Sequence, residues 1–203
     1  MAEPLPQQPI TPEQHEAIEI ATGLRHELVD GEVFAMGGGT PAHSKVKTNA
    51  VLAFGRRLEN GPCQVYDADL RIRIDHDVFY PDLTVHCGPL ALHPDDVNAA
   101  TEPVVVVEVL SPSTEAWDRG GKFTRYRAMP SVQHVVFIDP DRKTVEHYER
   151  QSDGRWMLES IAPDQNLTLA AVQVELPVEE LFRNLPKAPP PPSGPTKTEA
   201  RGS

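Results

Sequence analysis

The sequence predicts an α/β sandwich with a central mixed β-sheet flanked by helices. Three observations carry that prediction. Pro103-Val-Val-Val-Val-Glu-Val-Leu110 is a valine run of the kind buried on both faces of a sheet. Val46, Ala50, Ala53, Phe54 and Leu58 recur at the spacing of one helix face. Between them, helical and strand-like segments alternate along the chain, an order that builds layers of helix around sheet.

Each element has its own signal. Thr11-Pro-Glu-Gln14 is a helix start, with Thr as N-cap, Pro at the first position and Gln three residues after the cap. A helix follows to about Ala21 and stops near Gly23. His26 to Met36 reads as two short strands around Asp30-Gly31, a hairpin turn pair. Gly37-Gly-Gly-Thr-Pro41 is a loop that leads into the long amphipathic helix, which ends near Asn60-Gly61. Cys63 to Tyr66, Leu70 to Ile74 and Asp82 to Cys87 are strand-like, and residues 88–102 are a polar loop with a short helix from Pro94 to Ala99. After the valine strand, Ser111-Pro-Ser-Thr114 breaks the extended run, and Glu115 to Ala128 is expected as a helix stopped by Met129-Pro130. Strands are expected over Val132 to Ile138, Thr144 to Glu149 and Trp156 to Ile161, and a last short helix over Pro177 to Leu181. The domain then spans 11–185, between a loose leader over 1–10 and a Pro-rich, disordered tail over 186–203.

Composition narrows the function. The 203 residues suffice for one domain with a sizeable core. No apolar stretch approaches the ~20 residues that span a bilayer, and the N-terminus lacks a basic segment followed by an apolar one. A cytoplasmic protein is the expectation, with Cys63 and Cys87 as reduced thiols because they show no CxxC spacing. The net charge of −11 argues against a broad basic surface for nucleic acid. It leaves room for a local site where metal ions offset the acids.

Glu108 is the residue out of place. A carboxylate inside a buried valine strand must be neutralised, paired or bound to a metal. Alternation puts it on one face with Val106 and Leu110. Asp82 shares a face with Thr84 and His86, so neighbouring strands would aim both acids into one space. Two hard oxygen ligands suit Mg²⁺ or Mn²⁺, with water and a substrate phosphate completing the octahedron. His86 lies too far along its strand to join them. Asp118, Lys122 and Tyr126 follow at i, i+4 and i+8 on one helical stripe, so the lysine can balance charge near Glu108. A solvated ion pair between Asp118 and Lys122 is the competing reading, as a basic helix surface is for Arg119, Arg125 and Arg127.

These residues carry a resemblance. Pro81-Asp82, then Glu108-Val-Leu-Ser-Pro-Ser-Thr114, then Asp118 and Lys122, is similar to the Uma-type restriction endonucleases of the PD-(D/E)XK nuclease superfamily, from about Glu27 to Trp156. The resemblance implies a restriction-endonuclease-like fold and metal-dependent hydrolysis of phosphodiester bonds in nucleic acid, with DNA as the first expectation. It assigns Asp82 and Glu108 to the metal and Lys122 to catalysis. The superfamily's usual lysine, two residues after the acid, is Leu110 here, and Lys122 matches the place to which the family moves it. An accessory acid common on the preceding helix is also absent before Glu59, leaving His43 or Glu32 to fill that role, with Asp118 a further accessory candidate. Glu27 is as consistent with a structural role as with a functional one. Nuclease folds of this kind often work as homodimers, though no interface is readable in the chain. Two alternatives stay open: a catalytically inactive nuclease-fold binding module, and a metal-dependent hydrolase of another phosphate ester.

Overall fold

The computed structural model describes residues 8–186. Residues 1–7 of the expected leader and 187–203 of the expected tail lie outside the described residues. Ile10 is tied in, its backbone N–H donating to the Gly31 carbonyl at 2.8 Å.

Helix α1 (Pro12–Thr22) starts at the expected capping box: the Thr11 hydroxyl accepts from Gln14 N–H and the Gln14 side chain accepts from Thr11 N–H. Strands β1 (His26–Val29) and β2 (Glu32–Ala35) form the expected hairpin. Asp30 and Gly31 both take positive φ, 51° and 78°, as a type I′ turn requires. Helix α2 (Pro41–Leu58) is capped by the Thr40 hydroxyl, which accepts from His43 N–H. Then come β3 (Cys63–Asp67), β4 (Arg71–Ile74), β5 (Asp77–Phe79), β6 (Leu83–Cys87), β7 (Leu92–His93), β8 (Asp96–Ala100) and β9 (Val105–Val109). One helical turn, α3 (Glu115–Trp117), leads into a π-helical turn over Asp118–Lys122 and then α4 (Phe123–Ala128). Strands β10 (His134–Asp139), β11 (Thr144–Arg150), β12 (Trp156–Ile161), β13 (Asn166–Leu169) and β14 (Val174–Pro177) complete the chain, with a 3₁₀ turn at Val178–Glu180.

The expected mixed sheet has the order β12-β11-β10-β9-β6-β3, with β9 and β10 parallel and the other pairs antiparallel. A second six-stranded sheet, β2-β1-β5-β4-β8-β7, accompanies it. The valine strand lies inside the mixed sheet, and its two faces separate two cores. Val105, Val107 and Val109 face the hydrocarbon cluster built with Val46, Ala50, Ala53, Phe54 and Leu58 of α2. Burial of each of these valine, leucine and phenylalanine side chains contributes about 1.5–3 kcal/mol, and of each alanine methyl less. Val106 and Leu110 face the other way, packing with Val29, Ile72 and Phe79 of the second sheet and with Tyr126 and Met129. Glu108 belongs to this second face.

Three expectations are corrected. Pro94 to Ala99 is not a helix: β7 and β8 form a tight hairpin there, and β8 pairs in parallel with β4, so sheet pairing overrides the local signal. Cys63 and Cys87 are not free thiols. They sit opposite each other on β3 and β6 and are joined in a disulfide. The helix after the valine strand is not a continuous α-helix but is widened at Asp118–Lys122, where Phe123 N–H donates to Asp118 C=O, five residues back.

Candidate active site

Strand register delivers the two acids to one place. Leu83 pairs with Val107 and Thr84 with Val106, so Asp82, immediately before β6, stands opposite Glu108 on β9. The ladder stops there because the Asp82 side chain takes over: its Oδ2 accepts from Val109 N–H at 2.7 Å. Both acids are buried, yet both line one cavity of about 950 Å³.

Around Glu108 the second face of β9 gathers a cluster. The Lys122 ammonium lies 2.8 Å from Glu27 Oε1, 3.2 Å from Glu108 Oε1 and 3.4 Å from Asp118 Oδ1. The Tyr126 hydroxyl donates to Glu108 Oε1 at 2.6 Å. Three carboxylates thus share one ammonium, and their electrostatics follow from that imbalance. Burial pushes the Glu108 carboxyl up to about 8, with the neighbouring charges of Asp118, Asp82 and Glu27 adding to it against the pull of Lys122. Burial raises Asp118 as well. Burial opposes the charge of Lys122, but the three acids outweigh it and hold the ammonium above its usual range. The Tyr126 phenol is raised by burial and by Glu108.

Asp82 has its own partners on α2. The Lys47 ammonium is 2.8 Å from Oδ1 and His43 Nε2 is 3.4 Å from Oδ2. Burial works to raise Asp82, but these two contacts hold it below the usual carboxylate range. His43 and Lys47 are one turn apart near the N-terminus of α2, so a single helix face aims both at the acid.

The structure brings together Asp82, Glu108, Lys122, Asp118 and His43 from the sequence-based candidates. It leaves out Glu32, which is exposed on β2 at the turn and does not line the cavity. Glu27, opposite Phe34 in the same hairpin, is the residue that reaches Lys122. Lys47 was not anticipated; its only signal is the i,i+4 spacing from His43. Arg119 and Arg125 do not line the cavity and are paired with Glu115 and Glu146, and with Asp77 and Asp30. His86 is buried beside Thr84, away from the cavity.

Among the described residues no three His, Cys, Asp or Glu side chains stand close enough to cage a metal by themselves. The donor set nonetheless fits a hard cation. Four carboxylates (Glu27, Asp82, Glu108 and Asp118) face two lysines, and the Asp82–Glu108 pair offers oxygens whose remaining partners would be water and phosphate. No helix among the described residues is long and apolar enough to cross a membrane.

Comparison with known proteins agrees with this architecture. The chain is 33% identical over 178 residues to an uncharacterized protein of Synechocystis sp., covering 87% of this chain and 93% of that one. A second uncharacterized protein of Synechocystis sp. is 28% identical over 136 residues, 66% of this chain and 77% of its own. A crystal structure described as a putative nuclease belonging to DUF820, from Anabaena variabilis, superposes with a TM-score of 0.65 at 18% identity, covering 79% of this chain and 90% of that one. That likeness shows the fold, which is restriction-endonuclease-like. Residues 12–179 match the family model "Uma2: Putative restriction endonuclease", and the chain belongs to that family.

Proposed function

We propose that the chain is a metal-dependent endonuclease that hydrolyses phosphodiester bonds of nucleic acid, DNA first. The observation that carries the reading is the register that sets Asp82 opposite Glu108, with the Lys122 ammonium 3.2 Å from the latter. Asp82 and Glu108 would hold Mg²⁺ or Mn²⁺, which when bound lowers the pKa of a water and polarises the phosphate. Lys122 is a fixed cation at the back of the site. Its three carboxylate partners hold it charged and aimed, ready to orient the attacking water or to balance developing charge. Tyr126 and Lys122 both hold Glu108 at Oε1 from the protein side. Lys47 sits over Asp82 at the cavity wall and is placed to meet a phosphate oxygen.

The test is cleavage of supercoiled plasmid with Mg²⁺ or Mn²⁺ by the full chain and by Asp82→Ala and Glu108→Ala. Loss of metal-dependent nicking in both variants is expected, and unchanged cleavage in both would reject the assignment. One observation favours a second reading, a catalytically inactive nuclease-fold binding module: Asp82 and Glu108 are each already satisfied by protein cations. Calorimetric titration with Mn²⁺ separates the two, since a module has no binding that depends on both acids.

A further inference from the structure

We infer that the cavity takes an unpaired nucleotide, whose base stacks on Trp117 and Phe34. The inference rests on the nuclease reading of the cavity and names its substrate class.

The charge supply around the site is too small for a duplex. A protein that tracks duplex DNA neutralises several phosphates with Lys and Arg. Here the chain carries −11, and the two lysines that line the cavity are already paired, Lys47 with Asp82 and Lys122 with three acids. Arg119 and Arg125 on the adjoining helix are paired as well. That leaves Lys47, shared with Asp82, to meet a phosphate, so most of the affinity for a nucleic acid has to come from another interaction.

The rim supplies one. Phe34, Met36, Leu52 and Trp117 are large apolar side chains that line the cavity and yet are exposed, between 36% and 50%. Such a patch on a monomer's surface marks a contact site. Two of its members are aromatic and nearly parallel: the Phe34 and Trp117 rings are inclined by 26° with centroids 6.3 Å apart. Trp117 is held as a platform. Its ring lies against the backbone at Gly121, where a Cβ would fall 1.8 Å from a ring carbon, and the Arg125 guanidinium stands 5.7 Å from its centroid. The π-helical turn that contains Gly121 also contains Asp118 and Lys122, so the support of the platform and two members of the cluster around Glu108 lie on one short segment. An aromatic face fixed next to a phosphate-cleaving centre is what a splayed-out base requires. A base inside an intact duplex cannot reach it.

The probe is Trp117 fluorescence in a Trp156→Phe, Glu108→Gln chain without added metal, so that binding is read apart from cleavage. Three ligands are titrated: single-stranded oligodeoxythymidylate, its perfect duplex with oligodeoxyadenylate, and that duplex carrying one unpaired thymidine. Quenching by the single strand and by the bulged duplex, with little by the perfect duplex, is expected. Read by the fluorescence anisotropy of a fluorescein-labelled oligodeoxythymidylate, which needs no tryptophan, Trp117→Ala should weaken single-strand binding about tenfold or more, and Trp117→Phe should restore most of it. Equal quenching by the perfect duplex, no quenching by any ligand, or unchanged affinity in Trp117→Ala overturns the inference. If wild-type chain fails to cut plasmid while the quenching pattern holds, the nuclease reading fails alone. If cleavage is robust and its KM for single strand is the same in Trp117→Ala, the stacking inference fails alone.

Discussion

The described residues contain two clusters of the same composition. Each has one cation, three carboxylates and one tyrosine. In the first, Lys122 meets Glu27, Glu108 and Asp118, and Tyr126 donates to Glu108. In the second, Arg71 meets Glu16, Glu19 and Asp96, and Tyr80 donates to Glu19 at 2.8 Å. Only the first is a candidate site, and the difference lies in where each is built. The Arg71 cluster joins α1 to β4 and β8, with Glu16 half-exposed, so it works as a clamp between elements. Its guanidinium spans three acids as a planar fork that is always charged. The Lys122 cluster is built around a carboxylate on a buried strand whose neighbours are valines, and it opens onto the large cavity. An ion cluster that a hydrophobic side chain could replace at no loss of stability is the one to suspect of function.

Substitution should separate the two by different readouts. Glu108→Gln keeps shape and removes the carboxyl group that would ionise on binding a metal; metal-dependent plasmid cleavage should fall by at least about 10³-fold, with little change in melting temperature. An active Glu108→Gln chain would make the Lys122 cluster a second clamp. Lys122→Met strands three buried acids without their counter-ion. It should lower stability by about 3–5 kcal/mol in urea titration, and adding Glu108→Gln to it should recover part of the loss. If the two changes are simply additive, the groups are not coupled as the geometry requires.

The contrast also shows what a sequence can reveal. Glu108 was legible because a charge interrupts a valine run, and Asp82 because alternation plus neighbouring strands gives both acids one direction. Lys122 was singled out through the family resemblance, because its spacing from Asp118 alone reads as a solvated ion pair. Lys47 was not, because a lysine on a helix looks the same whether it faces water or Asp82. Glu27 and Glu32 could not be ranked, since the choice depends on how far along the hairpin the cavity lies. The alternation Leu167, Leu169, Val174, Leu176 is present in the chain, but the β13–β14 hairpin acquires its meaning only by closing over the α2 core. Likewise, Cys63 and Cys87 become partners only when β3 and β6 are in register. Each miss is a long-range pairing that local signals do not encode.

The clamp makes the complementary prediction. Arg71→Met should lower stability by about 2 kcal/mol, less than Lys122→Met because Glu16 can turn to water. Cleavage at a temperature where the variant is folded should be unchanged. A large loss of activity in fully folded Arg71→Met would place the second cluster in the site as well.

Tyr80 gives the smallest and sharpest test, because it touches both clusters. Its N–H donates to Glu27 Oε1 at 3.4 Å, while its hydroxyl serves Glu19 in the Arg71 cluster. Burial raises the phenol to about 12, the Glu19 contact adding to this and Arg71 opposing it. An unfolded tyrosine ionises near ~10. Between these values the unfolded chain gives up its proton and the folded chain keeps it, so stability from this group is whole below about pH 10 and is lost as pH rises towards about 12. The loss should amount to about 1–2 kcal/mol, since Tyr80 lines a second, open pocket where solvent screens the group. Tyr80→Phe removes the hydroxyl but keeps the backbone contact to Glu27. Melting temperatures of the two proteins should therefore converge as pH rises through that window, while plasmid cleavage at neutral pH stays the same. Curves that stay parallel would mean the phenol is not held neutral by the clamp. A cleavage defect would mean that the strain of losing the Glu19 contact travels along Tyr80 to Glu27, and that the two clusters act as one.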